Sequence, residues 1–197
     1  MDEIRAVLED KGYDFFDGGK PYNLNLIGVR NDIQKPERFD DAILAVFRDD
    51  AERWQVEQFQ ATTDPGLYWL RNPIRDAGTA ILCPGQYAGC YRIGQHRDYE
   101  ALEQIHNMRY VRDDDQDDRL DLGLMHKEGQ PFTDVIATNL HRADDTERSE
   151  YNYKWSAGCQ VIADPEEFEH LLSICHASAD IFGNRFTYTL LTIEDFQ

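Results

Sequence analysis

Basic residues are scarce in this chain, with 20 Lys and Arg against 38 Asp and Glu and a formal charge of −18. A field of that sign repels polyanions, so it disfavours nucleic acid and an anionic membrane surface as partners. Long apolar runs are missing too. None approaches the ~20 residues that a bilayer-spanning helix needs. The N-terminus, MDEIRAVLEDKGYDFFDGG, is acidic where an export signal would be basic and then apolar, so no leader is expected. Paired C-x-x-C spacing is absent among Cys83, Cys90, Cys159 and Cys175, which argues against a zinc site and a disulfide-dense scaffold. Repeats, low-complexity linkers and composition breaks are lacking as well. One domain over residues 1–197 is therefore expected, with 1–20 as a short helical extension.

What is present reads mainly as β-structure. Ile4, Val7 and Leu8 fall at helical spacing in a first helix ended by Gly12, after which residues 22–30 alternate apolar with polar. Residues 42–47 and 54–60 flank a charged turn and predict a hairpin. Thr63-Asp64-Pro65-Gly66 predicts a turn. Residues 80–82 and 87–93 flank Cys83-Pro84-Gly85-Gln86, predicting a second hairpin-like unit across which Cys83 and Cys90 could face one another. Asp164-Pro165-Glu166-Glu167 has an N-cap, a first-turn proline and dipole-favoured carboxylates, and so starts a helix. Phe168, Leu171, Leu172 and Cys175 form its apolar face, and a last strand follows over 186–191.

The chemistry-bearing stretch runs from His141 to Cys159. His141 closes an apolar run, Val135 to Leu140, that reads as a strand, and Cys159 opens another. A strand-loop-strand excursion could bring imidazole and thiol together. A cysteine is a weak nucleophile as a thiol and needs a base, for which His141 is the candidate. Gly158, with no side chain, could let backbone N–H groups around it and Cys159 turn toward a developing oxyanion.

His141, Ser156, Gly158 and Cys159 together resemble the active-site signature of the L,D-transpeptidase (YkuD-type) catalytic domain, a histidine followed at a distance by Ser/Thr-x-Gly-Cys. The resemblance implies a β-sandwich-like catalytic fold with a few peripheral helices. It implies Cys159 as the acylated nucleophile, His141 as its base and Ser156 as support of the turn, with no cofactor. The substrates implied are peptidoglycan stem peptides, attacked at the carbonyl of the L-centre of diaminopimelate. Two positions depart from the pattern: Ala157 stands where many members carry His, and Val161 where Asn or Arg is common. Arg142, beside the base, could partly substitute in holding substrate carboxylates, and Tyr153, Trp155 and Ala157 are the other candidate substrate contacts. A short, charged segment after His141 leaves the site wet, which leans the reading toward hydrolysis over cross-linking. The alternative is a non-enzymatic cell-wall-binding module that keeps the fold with an inert thiol. A papain-like peptidase would place cysteine before histidine, the reverse of the order here. A monomer acting in the cell wall or periplasm, reached by phage lysis or a non-classical route, is expected.

His96, His106, His126, His170 and His176 lack metal-ligand spacing and read as exposed or locally hydrogen-bonded histidines. The run Arg112 to Asp121 places Asp113, Asp115, Asp117 and Asp121 like positions 1, 3, 5 and 9 of a calcium loop. Asp118 and Leu124 occupy the places of its glycine and bidentate glutamate. A solvated acidic loop is the first expectation and a weak calcium site the second.

Overall fold

The computed structural model describes residues 1–31, 36–127 and 129–197. Among these residues eleven strands and three α-helices follow in chain order: α1 (Asp2–Asp10), β1 (Asn25–Arg30), β2 (Asp41–Arg48), β3 (Trp54–Thr62), α2 (Leu67–Arg71), β4 (Thr79–Leu82), β5 (Gly85–His96), β6 (Tyr99–Gln104), β7 (Met108–Asp113), β8 (Phe132–Asp134), β9 (Leu140–Arg142), β10 (Gln160–Ile162), α3 (Pro165–Phe182) and β11 (Phe186–Thr192). The mainly β expectation holds, but the sheet closes on itself. Eight strands form a barrel in the order β1-β11-β5-β6-β9-β10-β3-β2, while β4, β7 and β8 make a separate small sheet. That differs from two stacked sheets, because β1 pairs with both β2 and β11 and leaves no open edge between them.

Alternation along the strands decides which side chains enter the barrel. Leu26, Ile43, Ala45, Phe47, Tyr188 and Leu190 point inward and pack with Phe168, Leu171, Leu172 and Cys175 of α3. Their neighbours Ile27, Leu44, Val46 and Leu191 point outward and are covered by Ile4 and Leu8 of α1. Burying those two helix residues contributes roughly 3–6 kcal/mol. Asp164 caps α3 as expected, accepting from the N–H groups of Glu166 (2.9 Å) and Glu167 (3.4 Å). Gly28 is required by a close approach, since a Cβ there would collide with the Tyr188 hydroxyl. That hydroxyl crosses the barrel to donate to Gln160 Oε1 at 2.7 Å, tying β11 to β10.

Several expectations need correction. The pair β2 and β3 forms the predicted hairpin, but β4 and β5 do not pair. Instead the Cys83 N–H donates to the Arg109 carbonyl and extends the β4–β7 ladder. Cys83 then packs with Leu70, Ile81, Val111 and Leu120, whereas Cys90 lies in the barrel core, and all four cysteines are free. Residues 135–139 are not a strand, and β6 and α2 had no expectation. The aromatic residues Tyr151, Tyr153 and Trp155 lie on an irregular loop. Among the described residues no helix is long and apolar enough to cross a membrane.

Candidate functional site

Two very short strands place the site. β9 and β10 run parallel, with His141 opposite Val161 and Leu140 opposite Gln160. Leu140 and Ile162 therefore face the barrel core, while His141, Val161 and Cys159 lie on the outer side. His141 and Cys159 line one cavity of about 360 Å³. The excursion that joins β9 to β10, 143–159, carries Ser156, Gly158 and Cys159.

The turn before Cys159 is held by buried hydrogen bonds. Ser156 Oγ donates to the Cys159 carbonyl at 2.8 Å and accepts from the Gly158 N–H at 3.1 Å. Gly158 has φ +116°, and a Cβ there would sit 2.6 Å from the Ala80 carbonyl oxygen, so only glycine fits between the turn and β4. With its N–H committed to Ser156, Gly158 shapes the turn, and the Cys159 N–H is left as the candidate oxyanion donor. Asn152, fully buried, ties the loop down. It accepts from the Ser156 N–H (3.1 Å) and donates to the carbonyls of Asp64 (3.1 Å) and Pro36 (3.2 Å).

His141 is buried and its two ring nitrogens have different surroundings. Nδ1 lies 2.7 Å from the Arg142 carbonyl oxygen, which can only accept, so Nδ1 carries the proton. The Tyr99 hydroxyl, 3.2 Å from Nδ1, also reaches the Arg142 carbonyl at 3.3 Å. Nε2 is buried without a hydrogen-bond partner, leaving its lone pair available as a base. Burial, then the neighbouring His96, push the His141 pKa down to about 3. The imidazole is neutral at physiological pH.

The Cys159 thiol is half-buried and donates to the Ala137 carbonyl at 3.5 Å. Burial pushes its pKa up to about 11, against the Asn139 backbone N–H and the Arg97 guanidinium, which pull it down. Thiol and imidazole thus rest as a neutral pair rather than a preformed ion pair. The other thiols are fully buried and raised by burial, Cys90 to about 12.

Residues 136–138 form one wall of the cavity because distant side chains take their backbone bonds. Gln104 Oε1 accepts from the N–H groups of Ile136 (3.0 Å) and Thr138 (2.9 Å). The Tyr91 hydroxyl donates to the Thr138 carbonyl at 2.8 Å. Four cations also line the cavity, Arg75, Arg97, Arg112 and Lys154, with no Asp or Glu among its lining residues. In a chain of charge −18 that concentration of one sign makes the cavity locally electropositive. A wider groove of about 790 Å³ meets the cavity at Trp69, His96, Arg97, His141, Lys154 and Trp155, and it is lined by Arg142 and Tyr153 as well.

The candidate substrate contacts are accordingly divided. Ala157 lines the cavity, Trp155 lines both spaces, and Arg142 and Tyr153 face only the groove. The Arg142 guanidinium lies over the Tyr99 ring at 4.1 Å. Sequence reasoning missed His96, Tyr99, Asn139 and Gln104, which come from β5, β6 and the loop before β9. A polar residue at a buried strand position was the available signal for Gln104. Neither a family model, nor a curated protein, nor a solved structure matches this chain.

Proposed function

We propose that this protein is a cysteine-dependent enzyme of the L,D-transpeptidase type, acting by acyl transfer or hydrolysis on peptidoglycan stem peptides. The observation that carries the proposal is the commitment of His141 Nδ1–H to the Arg142 carbonyl, which leaves Nε2 without a partner on a residue that lines the same cavity as Cys159. Cys159 passes its proton to His141 Nε2 as sulfur attacks the carbonyl at the L-centre of diaminopimelate. The imidazolium is stabilised by Nδ1–H donation to Arg142, and the Cys159 N–H receives the oxyanion. His141 then returns the proton to the leaving D-amino acid, and a thioester remains. Arg75, Arg97, Arg112 and Lys154 supply charge for the stem-peptide carboxylates. The wider groove gives the second reactant access to the same histidine. Asp98, Asp144 and Asp145 also line this groove and favour water in it, so hydrolysis of the thioester is the preferred outcome.

A second reading, a wall-binding module with an inert thiol, is favoured by one observation. The resting thiol donates to Ala137, and burial opposes its ionisation. Mass spectrometry after incubation with tetrapeptide-stem muropeptides separates the readings. The enzyme yields tripeptide stems and free D-alanine, lost in Cys159→Ala. Abundant 3→3-linked dimer would shift the assignment to transpeptidation. No product with reduced, intact Cys159 would leave the binding module.

A further inference from the structure

The loop from β7 to the 3-10 turn Leu122–His126 departs from a merely solvated acidic segment. Asp113, Asp115 and Asp121 each offer a carboxylate oxygen, and these oxygens lie within 4.8 Å of one another. Asp117 is outside the group and spends Oδ1 on the Arg119 N–H at 2.6 Å. A cluster of acids on a surface would by itself mean little. Here Asp113 is fully buried, and neither of its carboxylate oxygens has a hydrogen-bond partner. A buried, unpaired carboxylate facing two others is strongly unfavourable unless a positive charge or a proton joins it.

The nearby cations are directed elsewhere. Arg71 is held by Asp118 through two bonds of 2.6 Å, and Arg112 donates to the Gly78 carbonyl at 3.0 Å with its guanidinium over Tyr110. Lys127 pulls Asp121 down less than burial, Asp115, Asp117 and Asp114 push it up. A calcium ion holds oxygens at 2.3–2.6 Å, so its ligands lie on a sphere about 5 Å across, which three carboxylates at this spacing can share.

We propose that Asp113, Asp115 and Asp121 bind a calcium ion, with the remaining positions taken by backbone carbonyls and water. The ion would brace the cavity wall from behind. Asp113 pairs with Thr79 at the end of β4, and the next residue, Ala80, carries the carbonyl against which Gly158 packs. The proposal does not depend on the reaction assigned to Cys159.

The test uses the full chain stripped with EDTA, titrated with CaCl2 and in parallel with MgCl2 by calorimetry and thermal melting. Affinity in the 10⁻⁴–10⁻³ M range of extracellular calcium modules would raise the melting temperature by roughly 3–10 °C in about 10 mM CaCl2. Magnesium, which dehydrates reluctantly, would produce less. Asp113→Asn should melt at or above the metal-free wild type and lose the calcium shift. Asp115→Asn, at an exposed position, should keep the fold and weaken binding about tenfold, so it decides the matter if Asp113→Asn does not fold. No calcium heat and no melting shift in the wild type, or an equal shift in both variants, would overturn the site.

Discussion

The His96 ring lies flat on the His141 ring, with centroids 4.0 Å apart and planes inclined by 12°. Asn139 Nδ2 donates to His96 Nδ1 at 3.2 Å, which makes that nitrogen the acceptor and puts the His96 proton on Nε2. A second imidazole stacked on the base disfavours protonating either ring, since each would carry like charge against the other. Both histidines are lowered, with burial the larger cause in each.

His96→Phe keeps the stack and the burial but removes the second titrating ring. The His141 pKa should then rise from about 3 and remain below the ordinary value near ~6.5, because desolvation persists. Imidazole carbon NMR across pH 2–8 reads this directly. An unchanged or lower value would mean that His96 has no electrostatic part in the site.

Cys159 should alkylate without the acid-shifted plateau of a thiolate-imidazolium pair. A thiol raised to about 11 is ionised only to roughly one part in ten thousand at pH 7, and the fraction grows tenfold per pH unit. Iodoacetamide labelling of the free protein should therefore climb through pH 7–10. A plateau below pH 7 would contradict a neutral resting pair. Selectivity for Cys159 carries no weight, since Cys83, Cys90 and Cys175 are buried and would be spared in an inert protein too.

The parts of this architecture that repeat over several residues were legible in the sequence. Alternation over 42–47 and 54–60 gave a hairpin, and Asp164-Pro165 marked the start of α3. The local turn Ser156-Ala157-Gly158-Cys159 could also be read, because its bonds are made within four residues. Closure of the barrel could not. It depends on β1 meeting β11 across most of the chain, and on β9 and β10, three residues each and parallel. Val135 to Asn139 looked like a strand by its apolar character, yet the amides of Ile136 and Thr138 bond the side chain of Gln104, some thirty residues away. His96 carries no local sign of its contact with His141, since β5 and β9 lie apart in the sequence.

Ser156→Ala should cost stability without removing any reacting group. It leaves the Gly158 N–H and the Cys159 carbonyl without their buried partner, for about 1–3 kcal/mol. Urea unfolding measures that loss. Turnover should fall as well, while Ser156→Thr, which keeps the hydroxyl, should recover part of both. Stability equal to wild type in Ser156→Ala would show that the hydroxyl does not hold the turn.

Gln104 offers the sharpest separation between the wall of the cavity and the groups that react. Its side chain accepts from Ile136 and Thr138 and donates to the carbonyls of His106 (3.0 Å) and Asp134 (3.2 Å), all from a nearly buried position on β6. Leucine has a similar volume but none of these bonds, so Gln104→Leu strands two amides and two carbonyls in or near the interior. The wall should respond by loosening, because the remaining bonds that tie residues 136–138 to the barrel are few, the Tyr91 hydroxyl to the Thr138 carbonyl and, at the edge, the Gln160 N–H to the Asn139 carbonyl. Amide exchange at Ile136 and Thr138 should accelerate by at least about tenfold over that of β2 and β3 in the same molecule, which distinguishes a local release from general unfolding. The released Ala137 carbonyl would no longer hold the Cys159 proton, so iodoacetamide labelling should quicken at fixed pH. Exchange that rises equally in β2, β3 and the wall would instead make Gln104 a support of the whole barrel.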